Sequence, residues 1–190
     1  MPPAALHPQH GRNPRRACFL ARTNIKSSIP MLQDGGMSTA RKTEVGIVME
    51  ASPGYTAPLA AEIEAMGFDY LLCPDTQNLA PDPYSQLTLA STRTSTLKLG
   101  TGVTNPITRD AAVTATAFMS LQQESGGRAL CVIGRGDSSA AHIGVKNATT
   151  KQLTTYVERI RAYMAGETIM RGDKESALRW LPGENISPVP

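Results

Sequence analysis

The sequence has few of the residues that build metal centres and disulfides. It holds three cysteines without a Cys-x-x-Cys spacing and three histidines, two of them within the first ten residues. Cys73 and Cys131 lie in apolar runs typical of strands, where a reduced, buried thiol is the expected state. His142 stands alone in the rest of the chain. We therefore predict no metal site, and reduced cysteines favour a cytoplasmic protein.

Long apolar runs and a basic folded region are also missing. No run approaches the roughly 18 residues of a membrane span, so we predict no membrane contact. The formal net charge is +3, but residues 1–42 hold seven Lys/Arg and one acid, whereas residues 43–190 hold twelve basic and fifteen acidic side chains. The first part therefore carries +6 and the second −3. A slightly acidic body argues against a nucleic-acid partner.

Residues 1–42 show neither strand nor helix periodicity and contain five prolines. We predict that they form a disordered basic leader and that the folded domain covers residues 43–190. A targeting signal is the alternative. Arg15 and Arg16 are followed by a polar, charged stretch and not by the apolar segment that an export signal needs. Met37 is an alternative start to Met1.

A strand followed by a helix recurs four times after Glu44. Apolar strands are predicted at 45–49, 68–73, 97–103 and 129–133, and an excursion is predicted at 167–180. For the first helix we predict Thr56 as N-cap and an apolar face made by three side chains: Leu59, Ile63 and Met66. Gly67 is expected to end that helix and Asp110 to cap the third.

Apolar strands that alternate with amphipathic helices indicate an α/β fold with a parallel sheet covered by helices. An open doubly wound sheet and a (β/α) barrel both fit this pattern. In either architecture ligands bind at the carboxyl ends of the strands. The loops that follow the four predicted strands are therefore the first places to look for a site.

Two of these loops are rich in glycine, at 100–106 and 134–139. Glycine lets a flat ligand or a phosphate approach the backbone closely. Each loop lacks the third glycine of a dinucleotide fingerprint, which is replaced by Asn105 in one and Ser139 in the other. On spacing alone, a ligand site and a pair of tight turns without a ligand both remain open.

Several short motifs occur together in a definite order over about residues 44–190. This set resembles the luciferase-like flavin-dependent monooxygenases, especially the branch that uses the deazaflavin coenzyme F420. The motifs are Leu99–Pro106, Thr108–Asp110, Ser125–Arg128, Ile133–Ser138, His142–Gly144 and Arg179–Pro182.

The resemblance implies a parallel (β/α)₈ TIM barrel, of which this chain holds roughly the first four units. It implies F420 or reduced FMN at the carboxyl face, and we favour F420. The cofactor ring would lie against a bulge in strand three that contains a cis peptide, which maps to Gly102-Val103. The cofactor-binding residues implied are Asp75, Gly102, Val103, Thr104, Asn105, Gly134, Gly136, Asp137 and Ser138.

The activity implied is hydride transfer or oxygenation of a small organic substrate. His142 is a weak candidate for a proton donor, and a structural role is its alternative. Strand five of the barrel would begin near the last residue, so a half barrel is expected. Three hypotheses follow: a truncated oxidoreductase, a homodimer joined through the exposed edges, or an inactive relic that serves as an interaction module.

Overall fold

The computed structural model describes residues 43–179. The four strands of the main sheet are β1 (Gly46–Val48), β2 (Tyr70–Cys73), β3 (Lys98–Thr101) and β4 (Ala129–Leu130). The helices are α1 (Thr56–Ala65), α2 (Pro83–Ser91), α3 (Ala111–Glu124), α4 (Asp137–His142) and α5 (Thr150–Met164). Strands β5 (Ile169–Arg171) and β6 (Lys174–Ser176) follow and form an antiparallel hairpin.

The main sheet is parallel throughout, in the order β1-β2-β3-β4. Helices α1, α2, α3 and α5 pack on one another in that sequence, so they form one layer beside the sheet. This arrangement confirms the predicted α/β class with alternating strands and helices. The hairpin occupies the predicted excursion, whereas the leader 1–42 and the expected start of strand five lie outside the described residues.

The core lies between the sheet and the helix layer. Leu71, Leu99 and Cys73 point into it and are fully buried, as is Phe118 from α3. The opposite face of the sheet carries five apolar side chains, none of which is fully buried: Val48, Tyr70, Leu72, Leu130 and Val132. We call this set the inner face.

Glycines on the inner face make room for the larger side chains of neighbouring strands. A Cβ on Gly46 would lie 2.1 Å from the Tyr70 ring, and one on Gly100 would lie 2.1 Å from the Leu130 carbonyl oxygen. Since such separations are far below van der Waals contact, only glycine fits at either position. In the pair Gly46↔Tyr70 the glycine thus leaves room for an aromatic ring, and in the pair Gly100↔Leu130 it lets the two backbones approach closely.

Two details of the first helix differ from the prediction. Thr56 is the first residue of α1 and not its cap, because its hydroxyl donates to the Ser52 carbonyl oxygen (3.0 Å) one turn earlier. Met66 follows the last helical residue and is 67% exposed, so it does not belong to the buried face. Gly67, with φ +84°, ends the helix as predicted, and Asp110 caps α3 through the Ala112 N–H (2.9 Å).

The start of β3 is held by two opposite charges. The Glu64 carboxylate accepts three backbone N–H bonds at 2.6–2.9 Å, from Ser95, Thr96 and Leu97. Although burial raises the pKa of Glu64, these donors lower it to about 2. Arg128 donates all five of its N–H groups to oxygens of Ser125, Thr94, Leu97 and Ser91. Both side chains therefore hold the loop 91–97 in place.

Candidate functional site

The third strand contains a one-residue bulge at its carboxyl end. Between the pairs Gly100↔Leu130 and Thr104↔Ile133, this strand advances four residues while the fourth advances three. The Gly102-Val103 peptide bond inside the bulge is cis. The Val103 side chain is 37% exposed at this edge. The bulge and the cis bond thus lie at the position that the family resemblance implied.

The glycine-rich loop after β4 packs directly against the bulge. A Cβ on Gly134 would lie 2.6 Å from Val103 Cγ2, and one on Gly136 would lie 2.7 Å from Asn105 Cγ. Gly136 also has φ +83°, which disfavours any other residue. The two loops therefore form one surface, and four of the predicted cofactor-binding residues meet in it.

Asp75 lies behind this surface and is fully buried. Its carboxylate accepts hydrogen bonds from Thr104 Oγ1 (2.8 Å), Gln77 Nε2 (2.7 Å), and Arg109 Nε (2.7 Å) and Nη2 (3.3 Å). A carboxylate can accept about four hydrogen bonds, so these four donors occupy all of its acceptor positions. The structure thus gives Asp75 the role of fixing Thr104 in the bulge. Its direct contact with a cofactor stays a prediction.

Arg109 connects Asp75 to the start of α2. Its Nη2 donates to Asp82 Oδ1 (2.6 Å), and its guanidinium carbon lies 4.3 Å from the centre of the Tyr84 ring. Burial alone would lower the pKa of Arg109, but Asp75 outweighs this effect and raises it. For Asp82 the pKa is lowered, because bonds from Ser85 and Arg109 outweigh its burial. Arg109 is therefore a permanent cation between two carboxylates.

The short helix α4 is attached to the loop after β2 by two bonds. Ser139 Oγ donates to the Asp75 carbonyl oxygen (2.8 Å), and Asn78 Nδ2 donates to the His142 carbonyl oxygen (3.1 Å). Asp137 and Ser138 open this helix and are exposed, and Asp137 accepts a bond from Asn147. The His142 side chain is exposed at the far end of the helix, so only its backbone takes part in this attachment.

Three buried side-chain atoms have no hydrogen-bond partner within residues 43–179: Asn105 Nδ2, Gln77 Oε1 and the Tyr84 hydroxyl oxygen. Asn105 uses its other side-chain atom, Oδ1, to accept from the backbone of Ile107 and Thr108 (both 3.0 Å). A cleft of about 250 Å³ adjoins Gln77, between the loop 75–83 and Arg109. Asn105 Nδ2 is therefore an unused donor, and Gln77 Oε1 is an unused acceptor beside this cleft.

A second cleft, of about 290 Å³, lies between the first turns of α3 and α5. Three cationic side chains line it: Arg109, Lys151 and Arg159. Within the described part of the chain, no group of three His, Cys, Asp or Glu side chains is placed to hold a metal ion. The helices of that part are also too short or too polar to cross a membrane.

The sequence prediction missed Arg109, Gln77 and Ser139 as parts of the site. Arg109 lies 34 residues and Ser139 lies 64 residues after their partner Asp75, so no local pattern connects either of them to it, whereas Gln77 is only two residues away. One signal was present: an aspartate that ends an apolar strand is expected to be buried, and a buried carboxylate needs a cation or several donors.

Residues 27–189 match the family model described as luciferase-like monooxygenase. Two curated relatives are named 5,10-methylenetetrahydromethanopterin reductase. The one from Methanolobus tindarius is 43% identical over 114 residues, which is 58% of this chain and 34% of the relative. The one from Archaeoglobus fulgidus is 39% identical over 108 residues, 56% and 32% of the two chains. The matched region thus spans about a third of these relatives.

Solved structures show the same fold. The coenzyme F420-dependent tetrahydromethanopterin reductase from Methanopyrus kandleri matches with a TM-score of 0.58 and 26% identity, over 76% of this chain and 45% of that one. An F420-dependent secondary alcohol dehydrogenase matches with a TM-score of 0.59 and 20% identity, over 78% of this chain and 51% of that one. The oxygenating constituent of 3,6-diketocamphane monooxygenase from Pseudomonas putida, in complex with FMN, matches with a TM-score of 0.58 and 19% identity, over 70% of this chain and 42% of that one. The last two show the fold alone.

Proposed function

Because the chain belongs to the luciferase-like monooxygenase family, we propose that it binds F420 or reduced FMN against the bulge of the third strand. The reaction proposed is hydride transfer or oxygenation of a small organic substrate. The bulge carries the proposal, since it presents the partly exposed, apolar Val103 at the carboxyl edge of the sheet with the glycine-rich loop packed against it. F420 is the favoured cofactor, because the relatives at 38–43% identity are named as methylenetetrahydromethanopterin reductases and a solved reductase is named as F420-dependent.

The residues at the bulge fit such a cofactor. A flavin or deazaflavin ring has flat apolar faces and a polar edge with carbonyl and N–H groups. Val103 offers an apolar surface to a face of the ring. The unpartnered Asn105 Nδ2 is a donor suited to a carbonyl, and Gln77 Oε1 is an acceptor suited to an N–H. These groups match the chemistry of the ring edge.

When bound, F420 supplies hydride chemistry and reduced FMN supplies hydride or oxygen chemistry. The protein's part is to bind and orient. Asp75 and Arg109 hold Thr104, and through it the bulge, in one conformation. Asp137 and Ser138 offer polar groups at the mouth of the site on the attached helix α4. His142 remains a candidate to deliver a proton to the substrate from the end of that helix.

Fluorescence titration with F420 and with FMN tests cofactor binding. We expect saturable binding, tighter for F420, and we expect Val103→Asp to weaken it at least about tenfold because it places a charge against an apolar ring face. Val113→Asp is the matched control, since Val113 is 52% exposed on the outer side of α3. Absence of saturation with either cofactor, or equal binding by both variants, would contradict the proposal.

The relatives' names make a methylene-tetrahydropterin the first substrate to assay. Turnover would be followed as oxidation of reduced F420 by its absorbance, with FMN and oxygen in a parallel reaction. The chain matches only about a third of the curated relatives, so activity of the chain by itself is part of the proposal. Binding without turnover would favour the alternative of an inactive relic.

A further inference from the structure

The cleft between the first turns of α3 and α5 has a volume of about 290 Å³, close to the smallest pockets that hold small molecules, about 300 Å³. Pro106, Ile107 and the buried Tyr156 give it part of an apolar lining. Residues of α5 line one side of it, and the start of α3 lines another. The cleft is therefore large enough for a small organic ligand, and the charges around it decide which kind it suits.

Three side chains of α5 line the cleft at a spacing of four residues: Lys151, Thr155 and Arg159. Residues four apart are neighbours on one face of a helix, so two cations and the hydroxyl between them form a row. No acidic residue lies three or four positions from either cation. The one acid of α5, Glu158, is adjacent to Arg159 in the sequence and therefore lies on another face.

The carboxylate that lines this cleft is already engaged by another cation. Asp110 accepts from Arg171 Nη1 (2.7 Å) and Nη2 (2.6 Å) of the β5–β6 hairpin. The pKa of Asp110 is lowered by these bonds and, more weakly, by the nearby charge of Arg159, which makes no ion pair with it. Within residues 43–179 neither Lys151 nor Arg159 has a hydrogen bond or an ion pair from its side chain.

The other charges at the cleft are either balanced or positive. Arg109 is paired with Asp75 and with Asp82. Both α3, with 14 residues, and α5, with 15, begin at the cleft, and the amino end of a helix carries a partial positive charge. These helix ends support the row of cations on α5 and do not offset it. The cleft thus holds two cationic side chains without a matching anion.

We propose that this cleft binds a polyanionic ligand with neighbouring phosphate or carboxylate groups, paired with Lys151 and Arg159. The Cα atoms of these residues are about 12 Å apart along α5, from eight steps of about 1.5 Å, and both side chains are long enough to converge on adjacent groups. The Arg159 guanidinium can bind an oxyanion through two N–H groups. The Lys151 ammonium supplies a second charge, and Thr155 offers a hydroxyl donor.

This site is separate from the surface proposed for the cofactor ring, although the two are close along the chain. Pro106 directly follows Asn105, and Arg109 lines the cleft while it binds Asp75 behind the bulge. Two sources offer the required chemistry: a free polyanion, and the phosphate of a bound cofactor such as FMN. The cleft itself needs no flavin or deazaflavin ring, so it is testable without one.

Calorimetric titration of the 190-residue chain with inorganic pyrophosphate, at a constant ionic strength of about 0.15 M, tests the site independently of cofactor binding. We expect saturable binding with a dissociation constant below about 1 mM. The double variant Lys151→Gln/Arg159→Gln is expected to raise this constant at least about tenfold. Lys146→Gln/Arg161→Gln is the matched control: it removes the same charge from exposed residues that do not line the cleft, and we expect a change within about twofold.

Competition identifies the source of the oxyanion. If the phosphate of the cofactor occupies the cleft, FMN displaces pyrophosphate, whereas riboflavin, which has the same ring without the phosphate, does not. If the ligand is a separate molecule, neither compound displaces it. Both outcomes support the site.

Three results would overturn the proposal. The first is a lack of saturation with pyrophosphate up to about 10 mM. The second is equal binding by the two double variants, since attraction to the net charge of the chain would then explain it. The third is displacement by riboflavin as well as by FMN, which would place pyrophosphate at the ring surface and not in the cleft.

Discussion

Replacement of Arg128 by lysine is expected to destabilise the chain strongly, although it keeps the charge. Arg128 donates to five oxygen positions in two loops, at 2.6–3.1 Å. Lysine has three N–H donors on a flexible stem and lacks the planar fork of the guanidinium. At least two of the five acceptors would therefore lose their donor.

The size of the effect follows from these two bonds. A hydrogen bond that involves a charged group contributes about 1.5–3 kcal/mol net, so two lost bonds correspond to roughly 3–6 kcal/mol. Solvent reaches part of the Arg128 side chain, and water can replace part of what is lost. We expect Arg128→Lys to lower the free energy of unfolding by about 3 kcal/mol, near the lower end of that range.

Urea denaturation followed by circular dichroism at neutral pH measures this difference. Arg93→Lys is the control, because Arg93 is exposed in the same loop, and we expect it to change stability by less than about 0.5 kcal/mol. If Arg128→Lys falls within that same limit, the five bonds do not stabilise the fold. An equal loss in both variants would mean that lysine is unfavourable near this loop for another reason.

Three further predictions concern charge and thiol chemistry. The pKa of Glu64 lies at about 2 in the folded chain against an ordinary 4.5. The ionised carboxylate therefore contributes its full share of folding stability above pH 4.5, and this share is lost as the pH falls toward 2. Urea denaturation of Glu64→Gln is expected to lack this pH dependence. Asp75→Asn removes the buried carboxylate that accepts from Arg109 and Thr104 and leaves Asp82 as the carboxylate partner of Arg109. It is expected to cost about 3 kcal/mol in the same assay, against about 1 kcal/mol for Asp82→Asn at the half-exposed helix cap. Burial raises the pKa of the Cys73 and Cys131 thiols to about 12, so iodoacetamide at pH 8 is expected to spare both in the native chain and modify both in urea, as read by peptide mass spectrometry.

The alternation of strands and helices was visible in the sequence because each element is amphipathic or apolar over its own length. Phe68–Cys73 was predicted as a strand and Tyr70–Cys73 is one. Helix caps were harder. Asp110 and Thr56 both precede apolar helical patterns, yet only Asp110 caps its helix, since the Thr56 hydroxyl bonds back to Ser52. A shift of one residue at a helix start is not encoded in the pattern itself.

Contacts between distant loops account for most of what the sequence did not predict. The motifs placed the bulge at Gly102-Val103 through resemblance and not through spacing. Asp75 and Arg109, which fix the bulge, are about 30 positions apart in the sequence. The same separation holds for the bonds of Glu64 and Arg128 to the loop 91–97 at the other end of β3. Such pairs depend on how the strands are ordered in the sheet, which periodicity alone does not determine.

The match between glycine and a large neighbour on the inner face has a consequence for sequence change. Gly100 cannot enlarge while Leu130 keeps its place, and Gly46 cannot enlarge while the Tyr70 ring lies over it. Residues 46 and 70 share one side-chain volume, so neither can change size independently, whereas Gly100 faces the backbone of Leu130. In related chains a larger residue at position 46 should be accompanied by a smaller residue at position 70. Position 100 should instead stay glycine whatever residue occupies position 130, because the atom in the way is a backbone oxygen.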